Sequence, residues 1–213
     1  MFTGIVTEIG RIARVTVEPA GKRLDIVAPR TVRGLVRGAS VAVNGVCLTT
    51  VRITGRSFSV QVVPESLRRS TLGEAMAGRR VNLERPLKGS GEVGGHFVQG
   101  HVDARARVIH VNRPGKEVLL EIQLPAPLRG LVVEKGSVAV DGVSLTVAAA
   151  SARSFTVALV PHTLKMTTLE TLAEGSFVNL EVDLLAKYVR SMLAARGIGG
   201  GKPRGTRRRG EDA

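Results

Sequence analysis

Residues 40–73 and 137–170 align at a constant offset of 97 without a gap, and 17 of the 34 positions are identical. A chain that repeats itself over such a stretch builds one structural unit twice. SVAVNGVCLT (40–49) faces SVAVDGVSLT (137–146), RSFSV (56–60) faces RSFTV (153–157), VPESLRRSTL (63–72) faces VPHTLKMTTL (160–169), and VNLE (81–84) faces VNLE (178–181). At an offset of 96, FTGIV (2–6) faces VQGHV (98–102), and RGL (33–35) faces RGL (129–131). The duplication therefore spans nearly all of the 213 residues. Halves of about 90 to 100 residues are each large enough to bury a core. The expected division is a first domain over 1–96, a second over 97–183, a helix over 184–196 and a tail over 197–213.

Each half reads as β-structure. Phe58, Val60 and Val62 alternate with Ser59 and Gln61, and Phe155, Val157 and Leu159 repeat the pattern. Period-two alternation puts those apolar side chains on one face of a strand. Asn44-Gly45 and Asp141-Gly142 stand between apolar runs. Both pairs suit a two-residue type I′ hairpin, where φ is positive at both central positions. Pro64 and Pro161 open short helices. The fold class that follows is all-β: two tandem Greek-key six-stranded β-barrels related by internal duplication, plus a C-terminal α-helix.

That helix is read from Leu185, Tyr188, Val189, Met192 and Leu193, spaced i, i+3, i+4, i+7, i+8, with Asp183 as N-cap and Gly197 as stop. A helix of about 13 residues is marginal alone, so its stripe needs a partner, either its own barrel or further copies of the chain. From Gly197 onward the composition is that of a disordered basic tail.

Charge and composition remove other classes. The net charge is +13, but six basic and two acidic residues fall from Arg196 onward, leaving +9 spread over the rest. Aromatic residues make up 3%, too few for the stacking platforms of single-strand binders, so no nucleic-acid partner is expected. No apolar run reaches the roughly 18 residues of a membrane span. The opening MFTGIVTEIG lacks a basic region followed by an apolar one, and a cytoplasmic location is expected. Cys47 is the only cysteine, which excludes an internal disulfide and a cysteine-based metal site. His96 and His101 are five residues apart, so on a strand they would point to opposite faces and would not pair on a metal.

The opening MFTGIV, the paired SVAV(N/D)G segments, GGHFVQGHVD (94–103) and the VP-x-(S/T)-L segments, duplicated and in this order, resemble the riboflavin synthase α-chain family over about 1–196. The resemblance implies two lumazine-binding barrels and a C-terminal helix that holds a homotrimer together. It implies conversion of two 6,7-dimethyl-8-ribityllumazine molecules into riboflavin and 5-amino-6-ribitylamino-uracil, with no metal and no cofactor. The site implied lies between the first barrel of one subunit and the second barrel of its neighbour. Association with lumazine synthase is a further expectation.

A dismutation between two copies of one substrate needs two similar pockets, and a duplicated domain supplies them. Proton transfer, by contrast, is needed on one side only. His101 occupies the repeat position of Ile5, and imidazole suits removing a proton from the acidic C7 methyl of a lumazine near neutral pH. Cys47 and Ser144 are repeat equivalents that the resemblance places in the two pockets, one supplying or stabilising a nucleophile at C7. Leu48, Thr49, Leu145 and Thr146 follow them on the same strands. Gly4, Ile5, Val6, Gly100 and Val102 are expected as backbone contacts to the heterocycle. Val62, Val63, Pro64, Glu65 and Ser66, with Val160, Pro161, His162, Thr163, Leu164 and Lys165, form the two segments expected near the ribityl chains. Lys135 resembles a pocket lysine of the second barrel. His162 departs from the Glu that the family more often has there. A competing class is a non-catalytic lumazine or flavin carrier on the same barrels; His101, Cys47 and Ser144 together favour the enzyme.

Overall fold

The computed structural model describes residues 1–115 and 117–198. Its first half forms β1 (Glu8–Glu18), β2 (Gly21–Val27), β3 (Ser40–Val43), β4 (Val46–Thr54), β5 (Ser57–Val62) and β6 (Arg80–Glu84). Its second forms β7 (Ala104–Asn112), β8 (Val118–Gln123), β9 (Ser137–Val140), β10 (Val143–Ala150), β11 (Ser154–Leu159) and β12 (Phe177–Val182). Each set closes into an antiparallel barrel, in the order β1-β2-β5-β4-β3-β6 and its equivalent β7-β8-β11-β10-β9-β12. β3, β4 and β5 run as a meander, β5 pairs back onto β2, and β6 closes the gap between β3 and β1. This is the expected duplicated Greek-key barrel, and closure leaves no edge strand.

The alternating residues fill the two interiors. Phe58, Val60 and Val62 pack with Leu24, Ile26 and Leu83 in the first barrel, and Phe155, Val157 and Leu159 with Leu120, Ile122 and Leu180 in the second. The hairpin residues Asn44 and Gly45 have φ of 46° and 75°, and Asp141 and Gly142 have 45° and 76°, as a type I′ turn requires. Short helices α1 (Pro64–Arg69) and α2 (Pro161–Met166) start at the two prolines. The C-terminal helix α3 (Leu184–Ala195) is capped by Asp183, whose carboxylate accepts the Leu185 N–H at 2.9 Å, and Gly197 ends it at φ 71°. Beyond residue 198 the predicted tail lies outside the described residues. None of the described helices is long and apolar enough to cross a membrane.

The two hairpins meet back to back at the centre of the molecule. A Cβ on Gly45 would stand 2.6 Å from the Gly142 nitrogen, and the converse distance is the same, so only glycine fits at either position. The Asn of each VNLE segment then bridges the barrels. Asn82 accepts from Thr168 N–H at 2.7 Å and donates to the Asp141 carbonyl at 3.0 Å. Asn179 accepts from Thr71 N–H at 2.7 Å and donates to the Asn44 carbonyl at 2.7 Å.

The repeat differs in charge at one buried point of this interface. Asn44 Oδ1 accepts the Asn82 N–H at 2.7 Å, and Asp141 Oδ1 accepts the Asn179 N–H at 2.8 Å. Burial pushes the Asp141 carboxyl up to about 7, against the pull of the Asn179 N–H and the Arg79 charge. Between about pH 4 and that value the folded chain keeps a proton that the unfolded chain has lost. Folded-state stability therefore falls as pH rises through this window and stays lowered above it. Asp141→Asn, which copies the first half, is expected to raise stability by about 1–3 kcal/mol at pH 8 and to have little effect near pH 4. Thermal melts at both pH values check this; an equal shift at each would reject it.

Candidate active site

Two short extended arms decide where the predicted residues go. Residues 2–6 and 98–102 precede β1 and β7, and they pair with each other where Phe2 N–H donates to the Val98 carbonyl at 2.7 Å and Val98 N–H returns to Phe2 at 3.1 Å. Each arm then runs over the hairpin strand of the opposite half. The Gly100 carbonyl accepts the Cys47 N–H at 2.8 Å, and the Gly4 carbonyl accepts the Ser144 N–H at 2.8 Å. Gly4 and Gly100 have φ of 75° and 80°, and a Cβ on either would lie 2.6 Å from the Cβ of Ser144 or Cys47. Glycine is required by both conformation and contact. Val6 belongs to the core of the second barrel, and Val102 packs on that of the first.

The structure thereby sorts the predicted residues into two groups. One holds Cys47, Thr49, Gly100, His101 and Val102, with α1 following β5; the other holds Ser144, Thr146, Gly4, Ile5 and Val6, with α2 following β11. Thr49, Val63, Pro64 and Glu65 are exposed on the first, and Lys135, Thr146, Val160, Pro161, His162 and Lys165 on the second, so both are open faces. Ser66 and Thr163 are half-buried at the start of α1 and α2. Leu48, Val62 and Leu145 are core residues, leaving only their backbone for a ligand, and Leu164 packs against the second core.

The groups are unequal in chemistry. His101 is exposed, as is its counterpart Ile5. Segment 94–103 is an arm with one bridge at Val98 rather than a strand, so the opposite-face argument for His96 and His101 does not apply. His96 instead reaches Ser144, with Nδ1 2.6 Å from Oγ. Burial pushes its imidazole below the usual histidine range, partly offset by the Asp183 charge, so the neutral ring prevails near pH 7. In one tautomer Nδ1 accepts the Ser144 hydroxyl proton; Nε2 is buried without a partner among the described residues. Lys135 carries a left-handed φ of 61° where its repeat equivalent Gly38 has 85°. A lysine held in that region is unusual, and such strain collects at functional sites.

Glu65 is exposed and paired with Arg69 and Arg68, whose hydrogen bonds hold its carboxyl below the usual range. His162, Lys165 and Met166 stand at the equivalent positions, so the second barrel has no such cluster. Two further residues were absent from the sequence reading. Glu84 accepts from Thr3 N–H at 2.7 Å, Thr3 Oγ1 at 2.9 Å and Gly4 N–H at 3.0 Å. Glu181 accepts from Gln99 N–H at 2.7 Å and Gly100 N–H at 3.0 Å. The repeated VNLE segment was the available signal for both.

The lumazine binding domain family matches residues 3–86 and again 99–183. Riboflavin synthase of Mycobacterium tuberculosis (strain ATCC 25618 / H37Rv) is 43% identical over 201 residues, covering 92% of this chain and 100% of that one. Riboflavin synthase of Bacillus amyloliquefaciens is 39% identical over 193 residues, covering 91% and 90%. The crystal structure of LumP complexed with riboflavin superposes with a TM-score of 0.79 at 27% identity, covering 85% of this chain and 99% of that one. LumP complexed with 6,7-dimethyl-8-(1'-D-ribityl) lumazine gives 0.78 at 26% identity, with the same coverage.

Proposed function

The chain belongs to the riboflavin synthase family, and from that membership we propose that it dismutates two molecules of 6,7-dimethyl-8-ribityllumazine into riboflavin and 5-amino-6-ribitylamino-uracil. It is a transferase, moving a four-carbon unit between two identical substrates. The observation that supports the reading is the crossed pair of arms, which sets His101 beside the hairpin strand of Cys47 and leaves the His96–Ser144 pair on the other. Holding two identical heterocycles face to face supplies much of the rate, because oriented reactants gain a large effective molarity.

In this reading the domains span 1–96 and 97–183, and each holds one lumazine. The arm backbone at Gly4–Val6 and Gly100–Val102 meets the amide-like edge of the heterocycle. Ser66 and Thr163 take ribityl hydroxyls, and Lys135 adds a charge to the second pocket. His101 removes the C7 methyl proton. Ser144, with neutral His96 to take its proton, is the better placed nucleophile; Cys47 lies at the equivalent point of the first pocket. The open faces meet across a homotrimer held by α3, so a first barrel faces the second barrel of a neighbouring copy. A cytoplasmic location and association with lumazine synthase complete the reading.

Purified protein, with no metal or nicotinamide added, is expected to convert the lumazine alone into riboflavin and the pyrimidine in equal amounts. Product analysis after complete turnover decides it. A need for a second, different substrate would remove the reading. Tight binding of one yellow ligand per chain without turnover would make the protein a carrier.

A further inference from the structure

The glutamate that ends each VNLE segment is buried, yet its partner is a pair of backbone N–H groups on an arm. A carboxylate suits that task, because its two oxygens accept from two converging donors. Burial pushes both carboxyls up from their usual range; the arm N–H groups pull the other way on both, and on Glu181 the Lys187 charge adds to that pull. What the arms do next gives the clasps their meaning. The arm held by Glu84 passes its Gly4 carbonyl to Ser144 of the second barrel. The arm held by Glu181 passes its Gly100 carbonyl to Cys47 of the first. Both glutamates hydrogen bond within their own half, and both arms end in the other.

We infer that Glu84 and Glu181 are crossed positioning residues: Glu84 on the first barrel sets the pocket of the second, and Glu181 on the second barrel sets the pocket of the first. The crossing ties the two half-sites together, because neither barrel carries all the residues of its own pocket. It also places His101 under Glu181, since the Gly100 N–H that Glu181 accepts belongs to the residue before it. The inference rests on the reading that these pockets hold lumazine, but the arms can be tested without any ligand.

Cys47 is the only cysteine in the chain and is half-buried beneath the Gly100 arm, so thiol modification reports on that arm alone. Glu8 serves as control. It accepts from Arg30 N–H at 3.0 Å and Thr31 N–H at 2.6 Å, a clasp of the same chemistry that holds no arm. The measurement is the rate at which an aromatic disulfide reagent modifies Cys47 in full-length Glu181→Gln, Glu84→Gln and Glu8→Gln. An amide offers one acceptor and turns an NH2 toward the second N–H, leaving a buried donor without a partner. Glu181→Gln is expected to speed modification by about 10-fold, the equilibrium weight of one such lost bond. The other two variants should stay close to the wild-type rate. Lumazine titration by fluorescence quenching should then show Glu181→Gln and Glu84→Gln each losing one site per chain, with both sites retained in Glu8→Gln. If Glu181→Gln does not fold, Glu181→Asp, which keeps the charge and shortens the reach, is read in the same way.

Unchanged thiol reactivity in the Glu181 variant would overturn the inference, as would equal acceleration in all three. A crossed thiol pattern with both lumazine sites intact would remove the positioning role. A crossed pattern in a protein that takes up no lumazine would leave the clasps standing and reject the functional reading instead.

Discussion

Replacing His101 by Ile is expected to leave lumazine affinity nearly intact and to lower kcat by about 10²- to 10⁴-fold, the usual contribution of a general acid–base group. The first half already carries the substituted residue. Ile5 occupies the equivalent place on its arm, exposed as His101 is, so isoleucine fits that backbone without strain. The arm itself is fixed by other groups, the Gly100 carbonyl to Cys47 and the Gly100 N–H to Glu181. The substitution therefore removes an imidazole and little else. On the proposed role His101 takes the C7 methyl proton in the transition state, so the loss belongs in kcat rather than KM. Steady-state turnover beside fluorescence quenching separates the outcomes. Wild-type kcat would remove His101 from the mechanism, and a matched collapse of affinity would make it a binding residue.

Ending the chain after Asp183 is expected to convert the proposed homotrimer into monomers and to abolish most of the activity. Leu185, Tyr188 and Met192 are 66%, 61% and 62% exposed, and Val189 and Leu193 lie beside them on the same stripe of α3. The helix is tied to the second barrel at its polar edge, by Lys187 to Asp103 at 2.8 Å and by Arg190 to the Pro127 carbonyl at 2.7 Å. Its apolar face borders a groove of about 760 Å³ shared with Leu131 and Val133. Burying a large apolar side chain contributes roughly 1.5–3 kcal/mol, so five per copy form a strong drive to associate. In the proposed trimer activity follows association, because a lumazine in one open face would meet its reaction partner in the facing barrel of another copy. Sedimentation of full-length and truncated protein, with turnover measured on each, checks this. A full-length chain that is an active monomer would reject it.

Much of the barrel was legible because strand patterns and turn chemistry are local. The Asn44-Gly45 and Asp141-Gly142 pairs, the alternation through Phe58 and Phe155, and the prolines that open α1 and α2 all act over a few residues. The stripe on α3 was legible too, but whether its own barrel covered it was not, since that depends on the path of the chain after β12. Within the candidate site, the repeat paired Cys47 with Ser144 and singled out His101 against Ile5. It did not reach His96, because the extended arm that carries it has no periodicity, and its partner lies 48 residues away.

Duplication, barrel class and the chemical inequality of the halves follow from the order of residues alone, because each rests on composition and spacing along the chain. The crossing of the arms does not. Nothing in FTGIV or VQGHV says which hairpin it will meet. That choice depends on two closed barrels meeting back to back at Gly45 and Gly142, on two asparagines reaching across, and on two buried glutamates whose donors among the described residues all lie on the arms. These contacts join residues about 60 to 140 positions apart. Only when both barrels are closed do the arms, the hairpins and the two carboxylates come within hydrogen-bonding distance.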